Sequence, residues 1–499
     1  MAAELAQRTI IFVPFPALGH IIPMLHLARA LVDGGDHVSV TVAVPDFIHR
    51  RMGQYSIPGV TIESISSGIV LDDEAAPGPA MILHAMEHHM PAQLESMLTA
   101  HRRISCLVVD LLASWAIPLA AQRGLPAVGF WPGMVATYRT VVVIPELVGT
   151  DFISDSGIPN LQTAIPYNRN EGTLLAADGT CEDHFDKEQN IGDHNILPAK
   201  LGLRFKHLPW LVDSTLPQQS RISFWLRTVD RAKSLPSIFF NSFSGEGSSD
   251  ESNQYNLPKD QQILHVGPLL FNDTSKTTTS MWQADLTCME WLDNQSPGSV
   301  VYVSFGSWAS PVEPDKIAGF AHGLEACGRP FLWVLRDHPL WRAGLPDDYI
   351  DRISSRGRII SWAPQDDVLQ HEAVGCYIIH CGWNSVLEAV RHGVRMMCYP
   401  ITADHFINCA YVINMFEIGI ALASSDQSDV KDCIERVMEG EEGRRLQQKV
   451  NELRETITVG EAMCVAKRDL NLFMEKMINT NNADDEDIKI GQGTLQNKS

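Results

Sequence analysis

The sequence lacks both the long hydrophobic runs and the basic surplus on which two large classes of protein depend. No uninterrupted apolar segment in the 499 residues approaches the roughly 18 residues that a membrane-spanning helix needs. Acidic side chains outnumber basic ones, and the formal net charge is −21. Nucleic-acid binding requires a basic face that displaces counterions from the phosphates. We therefore expect neither a membrane span nor a nucleic-acid partner.

Several short motifs are missing as well. The ten cysteines are scattered without a CxxC pair, which favours reduced thiols in the core over a disulfide framework. No GxGxxG follows the first strand of either predicted sheet, and no GxxxxGK[ST] occurs. These absences argue against a dinucleotide oxidoreductase and against a P-loop enzyme. The N-terminus has no basic segment followed by a long apolar core, so we predict no secretory signal and a cytoplasmic location.

What is present is an α/β pattern that occurs twice. Continuous β-branched runs alternate with helical patterns, first from Thr9–Phe15 onward and again from Ser299–Ser307 onward. Such alternation is typical of parallel sheets that are covered by helices on both faces. The chain is long enough for two such domains. Two α/β sheets joined by a linker leave a cleft, and ligands bind there at the carboxyl ends of the strands.

Polar segments separate the two patterns. We predict a first domain over residues 1–245, a hydrophilic linker over 246–262, a second domain over 263–461 and a disordered tail over 478–499. Between about residues 149 and 199 the α/β pattern dissolves into polar residues, glycines and prolines. Loops of that length in compact domains are usually functional or disordered.

The most informative segment runs from Trp362 to His405. Within it, HCGWNS (His380–Ser385) follows a short strand pattern and precedes a helical pattern. A strand that feeds a helix through small residues directs backbone N–H groups and the positive helix end at one point, which suits a phosphate or diphosphate. Trp362 offers a flat face to a base. On this geometry alone, one more αβ unit with a buried tryptophan is an equally good interpretation.

The same segment resembles the signature box of plant UDP-dependent glycosyltransferases, WxPQ…HxAVGxFxTHCGWNSxLE…GVPMxxxPxxxDQ. Similar pieces lie at PALGHIIPMLHLA near the N-terminus, HVGPL from His265 and WLDNQSPGSVVYVSFGS from Trp291. The resemblance implies two Rossmann-like domains facing across a cleft (GT-B type), with the acceptor on the first domain and the UDP-sugar on the second. It also implies a C-terminal helix, about 462–477, that packs back on the first domain, and a monomer.

The reaction implied is the inverting transfer of a hexose from a UDP-sugar to a hydroxyl or carboxyl group of a small hydrophobic acceptor. A hydroxyl is a poor nucleophile until its proton is being removed, so a positioned base is needed. His20 matches the family's base, and an imidazole can accept a proton near neutral pH. Asp110 matches the carboxylate that supports it. Their alternative interpretation is that each caps a helix.

The resemblance also implies a role for each residue of the donor site. Trp362, Ala363 and Gln365 would bind the uracil and its surroundings, and Glu388 would accept hydrogen bonds from the ribose diol. The diphosphate would be held by donors and a helix dipole, and the sugar would face the end of the box. No metal and no cofactor are expected. The diphosphate residues are Ser307, His380, Gly382, Asn384 and Ser385, and the sugar residues are Trp383, Asp404 and His405.

Departures from the family pattern affect selectivity. The box ends in His405 instead of glutamine, so glucose is favoured while galactose stays open. Leu18, Ile379 and Arg395 replace a glutamine, a threonine and a proline. These changes motivate an alternative function, a catalytically weak member of the same fold that binds a UDP-sugar or a small molecule.

A histidine cluster in HAMEHHM offers a competing interpretation. His84 and His88 are four residues apart and would share a helix face, with His89 beside them, so zinc is conceivable. HExxH is absent and no third ligand is indicated, and we favour acceptor-pocket or surface histidines.

Overall fold

The protein folds into two parallel sheets, each covered by helices. The computed structural model describes residues 8–35, 38–53, 55–70, 77–101, 103–160, 197–204, 207–212, 216–246, 261–269, 284–306 and 312–476. Within these ranges, no helix combines the length and the apolar character that crossing a membrane requires.

The first sheet has seven parallel strands in the order β3-β2-β1-β4-β5-β6-β7. Its strands are β1 (Arg8–Val13), β2 (Val38–Pro45), β3 (Val60–Ile65), β4 (Ile104–Asp110), β5 (Ala127–Trp131), β6 (Ser237–Phe240) and β7 (Gln262–His265). Its helices are α1 (Leu18–Asp33), α2 (Asp46–Met52), α3 (Pro79–His88), α4 (Met90–Ala100), α5 (Ala116–Gln122), α6 (Val135–Val142), α7 (Ile144–Gly149), α8 (Pro209–Val212) and α9 (Gln218–Ala232), with 3₁₀ turns at Leu111–Ala113 and Ala199–Leu201.

The second sheet has six parallel strands in the order β10-β9-β8-β11-β12-β13. Its strands are β8 (Val300–Ser304), β9 (Phe331–Val334), β10 (Gly357–Ile360), β11 (Val374–Ile379), β12 (Arg395–Cys398) and β13 (Gly419–Ala421). Its helices are α10 (Thr287–Asp293), α11 (Pro314–Ala326), α12 (Pro339–Arg342), α13 (Tyr349–Ile353), α14 (Gln365–Gln370), α15 (Trp383–His392), α16 (His405–Asn414), α17 (Gln427–Met438) and α18 (Gly440–Thr458). A final helix, α19, covers residues 461–476.

The strand order gives both sheets the Rossmann topology and the same kind of crevice. In the first sheet the order reverses between β1 and β4, and in the second it reverses between β8 and β11. Chains leave the sheet in opposite directions at such a switch point, so a crevice opens beyond the carboxyl ends of the two strands. Continuous apolar strands make this possible, because both faces of a parallel sheet are buried. The two-domain α/β prediction is confirmed.

The boundary between the domains differs from the sequence-based expectation. We placed the linker at 246–262 and the second domain from 263 onward, but β7 pairs with β6 in the first sheet. Its short run QILH is apolar at its centre, and Leu264 is buried there. We predicted the start of the second domain too early because the polar residues before β7 are typical of a linker. The strand that follows them belongs to the first domain. Residues 247–260 lie outside the described part of the chain, as does the tail from 477 onward.

Helix α19 contacts the first domain. The ring of Phe473 lies edge-on to Phe239 of β6, with 4.8 Å between centroids. The Asp469 carboxylate accepts a hydrogen bond of 2.9 Å from the backbone N–H of His265 in β7. The chain therefore crosses back after the second domain, and its last described helix covers the edge of the first sheet.

Candidate active site

His20 and Asp110 meet at the switch point of the first sheet. His20 lies in the first turn of α1, just after β1, and Asp110 is the last residue of β4. The imidazole Nδ1 is 2.8 Å from Asp110 Oδ2, and the Asp110 side chain has no exposed surface. A carboxylate only accepts hydrogen bonds, so Nδ1 carries the proton and the lone pair of the neutral ring is on Nε2. The His20 side chain keeps 19% of its surface exposed, which leaves it accessible to a substrate.

Asp110 also caps the turn that follows it. Its Oδ1 accepts a 2.9 Å hydrogen bond from the backbone N–H of Leu112. The capping interpretation and the pairing with His20 are thus both correct, one for each carboxylate oxygen. Because both oxygens are engaged, the carboxylate is held in one orientation, and it fixes the orientation of the imidazole in turn.

A proline inside α1 leaves a backbone carbonyl beside His20 available to the second domain. Pro23 has no N–H, so the carbonyl of Gly19, four residues earlier, cannot make its helical hydrogen bond. That carbonyl accepts instead from Asn384 Nδ2 at 2.8 Å, across the cleft. The donor-side residue Asn384 is therefore tied to the residue directly before His20.

Asn241, just after β6, makes the other half of this bridge. Its Nδ2 donates to Asn384 Oδ1 at 3.1 Å, and its Oδ1 accepts from the backbone N–H of Leu269 at 3.0 Å. Its carbonyl accepts from Trp383 Nε1 at 2.6 Å. Trp383 is 4% exposed and stacks on Phe243, with 6.2 Å between centroids. We expected Trp383 to face the sugar, but its indole instead lies in the contact between the domains.

His380 lies at the corresponding switch point of the second sheet, directly after β11. Two glycines enclose its ring, since a Cβ atom at Gly306 or at Gly382 would lie 2.5 Å from His380 Nε2. His405 packs against it in a T-shaped arrangement with 4.8 Å between centroids. Burial lowers the pKa of His380 to about 3. This histidine therefore stays neutral at physiological pH.

His405 is held in one tautomer. Its Nδ1 accepts a hydrogen bond of 3.2 Å from the backbone N–H of Thr402, so Nε2 carries the proton and is a donor. Burial lowers its pKa to about 4. The neighbouring Asp404 accepts from Asn408 Nδ2 at 2.9 Å, and burial raises the pKa of its carboxyl group. At the end of the box the structure thus supplies a neutral donor next to a carboxyl group.

The side chain of Gln365 organises the ribose end of the predicted site. Its Oε1 accepts from the hydroxyls of Tyr302 at 3.2 Å and Tyr377 at 3.1 Å. The amide nitrogen must then point the other way, and it donates to Ser385 Oγ at 3.0 Å and to Glu388 Oε2 at 2.6 Å. Burial raises the pKa of Glu388 to about 7. Two buried phenols thereby fix the amide that positions this carboxyl group.

The N-terminus of α15 is free of side-chain caps. Gly382 is the N-cap residue and has no side chain, and the helix begins at Trp383. The first N–H groups of a helix have no partner inside it and carry the positive end of the helix dipole. Cys381 enters this turn with φ of +67°, a conformation that most side chains avoid. Uncapped N–H groups at a helix start are what an anion site requires.

The other predicted donor residues are partly placed. Trp362 is half-buried, and its carbonyl accepts a 2.9 Å hydrogen bond from the backbone N–H of Asp285. Ala363 is buried beside it. Ser307 lies outside the described residues. The structure thus brings Gln365 to Ser385 and Glu388, and His380 to His405, while Trp362 and Ala363 follow the edge strand β10 and Trp383 is turned toward the first domain.

Sequence reasoning missed four residues that shape this site. Asn241 had a weak signal, because it is the first polar residue after the apolar run SIFF. Pro23 had a clearer one, since a proline within helical spacing always frees a carbonyl. Tyr302 and Tyr377 looked like ordinary residues of buried strands. Only the packing of β8 against β11 brings their hydroxyls to Gln365.

The three histidines of the cluster pack against one another. The rings of His84 and His88 are 4.6 Å apart, and those of His84 and His89 are 5.5 Å apart, measured between centroids. They belong to α3 and the turn after it, and two of them line a cavity of about 340 Å³ together with Met81 and Ile69. Among the described residues, these three do not bring their ligand atoms within 4.8 Å of one another, as a shared ion requires.

Comparison with known proteins decides the family. A family model described as "UDP-glucoronosyl and UDP-glucosyl transferase" matches residues 262–452. UDP-glycosyltransferase 82A1 of Arabidopsis thaliana is 40% identical over 458 residues, which cover 88% of this chain and 92% of that protein. The chain belongs to the plant UDP-dependent glycosyltransferase family. It is therefore an enzyme that transfers a sugar from a UDP-sugar donor to a small-molecule acceptor.

Further relatives of this glycosyltransferase agree in sequence and fold. DIMBOA UDP-glucosyltransferase BX8 of Zea mays is 32% identical over 486 residues, covering 91% of this chain and 95% of that protein. A solved UDP-glucosyltransferase from Polygonum tinctorium, described as capable of glucosylating indoxyl, superimposes with a TM-score of 0.73 at 23% identity. It covers 94% of this chain and 99% of the solved one. The GT-B fold predicted from the sequence is thus confirmed.

Proposed function

We propose that this glycosyltransferase moves glucose from UDP-glucose, with inversion, to a hydroxyl or carboxyl group of a small hydrophobic acceptor, with His20 as the base. The observation that carries the proposal is the 2.8 Å contact between His20 Nδ1 and Asp110 Oδ2 at the first switch point. The Asn384 bridge supports it, because this bridge sets the base directly opposite the N-terminus of α15.

The base works through Nε2. An acceptor hydroxyl donates to the Nε2 lone pair, and its proton moves to the imidazole as the oxygen attacks the anomeric carbon. The bond from that carbon to the UDP oxygen breaks, and UDP leaves with the electron pair. Asp110 stabilises the imidazolium that forms. Attack from the side opposite the leaving group inverts the anomeric centre.

The donor end is built to hold negative charge without a cation. We assign the diphosphate to the N–H groups of the first turn of α15 and to the side chains of His380, Asn384 and Ser385, which lie on that turn or directly before it. Neutral His380 donates without adding charge, and the helix dipole supplies the rest. We therefore expect no dependence of the rate on divalent metal.

The uridine is assigned to the ribose end. Glu388, held by Gln365, accepts from the ribose diol once its carboxyl group has ionised. Trp362 supplies the face for uracil, and the main chain of Ala363 supplies its hydrogen bonds. Burial raises the pKa of Glu388 to about 7, so this carboxyl group is partly ionised at neutral pH.

Glucose is favoured over galactose for two reasons. Both glucosyltransferase relatives described above carry glucose in their names. In addition, His405 presents Nε2–H as a donor, which is one of the two functions of the glutamine amide that it replaces. A hydroxyl that accepts from an amide N–H can therefore accept from this imidazole.

The replacement at Arg395 leaves the proposed chemistry in place. The Arg395 guanidinium donates to the carbonyls of Gly375 at 3.0 Å and Val437 at 2.8 Å, so it ties β12 to its neighbours and stays away from the site. A function limited to binding therefore gains no support from this substitution.

The test is a matrix of donors and acceptors. The purified enzyme is given UDP-glucose or UDP-galactose with a panel of phenols, alcohols and aromatic acids, and UDP release and product mass are measured. We expect turnover with UDP-glucose, at the same rate with and without EDTA. UDP binding with no product from any acceptor would contradict transfer and leave a binding function. Faster turnover with UDP-galactose would contradict the choice of sugar.

A further inference from the structure

Three free cysteines converge beneath the turn that begins α15. Cys381 lies in that turn, Cys398 ends β12, and Cys409 is in α16. Their sulfur atoms all lie within 4.8 Å of one another. The three thiols come from three different elements, so the fold brings them together and no short sequence motif does.

The group is buried and apolar. Cys381 and Cys398 have no exposed surface, and Cys409 is 8% exposed. No histidine or carboxylate of the described residues joins the three sulfur atoms.

This environment selects among thiophilic ions by charge. Zinc with three thiolates would carry a net negative charge into the core and would need a fourth ligand. An uncompensated buried charge is costly. Trivalent arsenic with three thiolates is neutral and three-coordinate, so it needs neither a fourth ligand nor a counter-charge. Sulfur atoms within 4.8 Å of one another can reach such an ion after a small inward movement.

We propose that Cys381, Cys398 and Cys409 form a site for trivalent arsenic, taken up as arsenous acid, and that its occupation weakens UDP binding. Three As–S bonds form and three As–O bonds break. Each thiol proton leaves with one hydroxide as water, and the arsenic keeps its oxidation state. The site is separate from the proposed transfer chemistry.

The link to the donor site is covalent and direct. Cys381 stands between His380 and Gly382, and its carbonyl accepts from Asn408 Nδ2 at 3.0 Å. Asn408 also donates to Asp404, and it directly precedes Cys409 in the chain. Drawing three sulfur atoms onto one arsenic shifts the backbone at both positions. The diphosphate turn and the sugar-facing carboxyl group then move together.

The first experiment measures the adduct on the full-length, phosphine-reduced enzyme. After incubation with arsenite, intact-mass spectrometry should show a gain of one arsenic atom less three hydrogens, and X-ray absorption should show three As–S bonds and no As–O bond. Alkylation in denaturant followed by peptide mapping should find these three cysteines protected in the arsenite-treated enzyme and modified in the untreated enzyme. No adduct, an adduct that retains hydroxide on two sulfurs, or protection of other cysteines would overturn the proposal.

Variants make the test specific. Cys398→Ser and Cys409→Ser each remove one sulfur and should abolish the trithiolate adduct. Cys376→Ser removes a buried thiol of β11 outside the group and should keep it. Circular dichroism checks folding, and the peptide mapping of the wild type decides the question if a serine variant fails to fold. An adduct that survives Cys409→Ser unchanged would contradict the assignment.

The second readout is UDP affinity. Arsenite at saturation should weaken UDP binding to the wild type by about tenfold, within the usual range of coupling between linked sites. It should leave the affinity of Cys409→Ser unchanged. Wild-type enzyme that carries arsenic but binds UDP normally would contradict the coupling, and this outcome is independent of whether His20 is the base.

Discussion

His20 on the first domain and His380 on the second each follow a strand that flanks a switch point, β1 for His20 and β11 for His380, yet their surroundings are opposite. His20 contacts a fully buried carboxylate and keeps part of its surface exposed. His380 is enclosed by two glycines and packs on a second imidazole, His405. A carboxylate partner stabilises the imidazolium, while burial without one stabilises the neutral ring.

The difference shows how one topology supports two kinds of chemistry. In the proposed reaction the crevice of the first domain takes up a proton, because Asp110 compensates the charge that appears on His20. In the same proposal the crevice of the second domain binds the anionic donor without changing its own protonation, because burial lowers the pKa of His380 to about 3. The proposed base and the proposed diphosphate donor are thus separated by electrostatics as well as by domain.

The largest expected effect distinguishes the roles of His20 and His380. His20→Ala should reduce the turnover rate by about 10²–10⁴-fold, the usual contribution of a general base, with UDP affinity unchanged. His380→Ala should instead weaken UDP binding by about 10–100-fold, since a hydrogen bond to a charged group is lost. Turnover assays and calorimetric titration with UDP measure the two effects.

Asp110→Asn is the control for this pair, because it keeps the size of the side chain but removes the charge that stabilises the imidazolium. We expect turnover to fall without loss of UDP affinity. If His20→Ala and Asp110→Asn both abolished UDP binding, the first-domain pair would be structural.

The next effect concerns the sugar. His405→Gln restores an amide, which both donates and accepts, at a position where the imidazole donates only through Nε2. We expect the ratio of turnover with UDP-glucose to turnover with UDP-galactose to rise by about tenfold, the equivalent of one good hydrogen bond. An unchanged ratio would remove His405 from the determinants of donor choice.

A smaller effect concerns the two tyrosines that orient Gln365 in the second domain. Tyr302→Phe and Tyr377→Phe each remove one hydroxyl from the Gln365 carbonyl. The amide then loses part of its orientation toward Glu388, so KM for UDP-glucose should rise by about 2–10-fold per variant while kcat changes little. A fall in kcat at constant KM would show that the tyrosines act elsewhere.

The smallest expected effect compares one buried carboxyl group in each domain. Glu246 bonds the backbone of α6 and the Ser242 hydroxyl, and burial raises its pKa to about 7. Between pH 4.5 and about 7 the unfolded chain releases this proton while the folded chain keeps it. Stability therefore falls as pH rises through this window, by at most about 1.4 kcal/mol per pH unit, and is level above it.

Glu246→Gln should flatten that fall in the free energy of unfolding, measured by denaturant titration at pH 5 and pH 7. It should leave UDP binding intact, whereas Glu388→Gln should weaken UDP binding. Identical pH dependence in wild type and Glu246→Gln would show that Glu246 ionises normally in the folded state.

Much of the fold was predictable because parallel strands are buried on both faces and read as apolar runs. The pairing of His20 with Asp110 was also predictable, since a residue after β1 and one ending β4 meet at a switch point. The start of the second domain was not predictable, because the polar residues before Gln262 are typical of a linker and give no indication of β7. Strand pairing over such a distance depends on the sheet edge, which has no local sequence signal.

The orientation of Trp383 was beyond sequence reasoning for a different reason. Its indole has two good environments, a sugar in the cleft or the Phe243 ring with the Asn241 carbonyl. Which one is occupied depends on how the two domains meet, and that is a property of the assembled chain. The same holds for Asn241, whose side chain and carbonyl bond three residues that are distant in the sequence.

Pro23 gives α1 a vacant carbonyl at Gly19, and Asn384 fills it from the opposite domain. The amide of Asn384 is therefore already engaged at both ends, by Gly19 and by Asn241. A donor diphosphate that recruits this amide competes with the closure of the cleft for the same hydrogen bonds. By thermodynamic linkage, binding of the proposed donor through this amide and closure of the cleft then oppose each other to the same extent. Through the Gly19 carbonyl, Pro23 on the first domain thereby opposes binding of the proposed donor on the second.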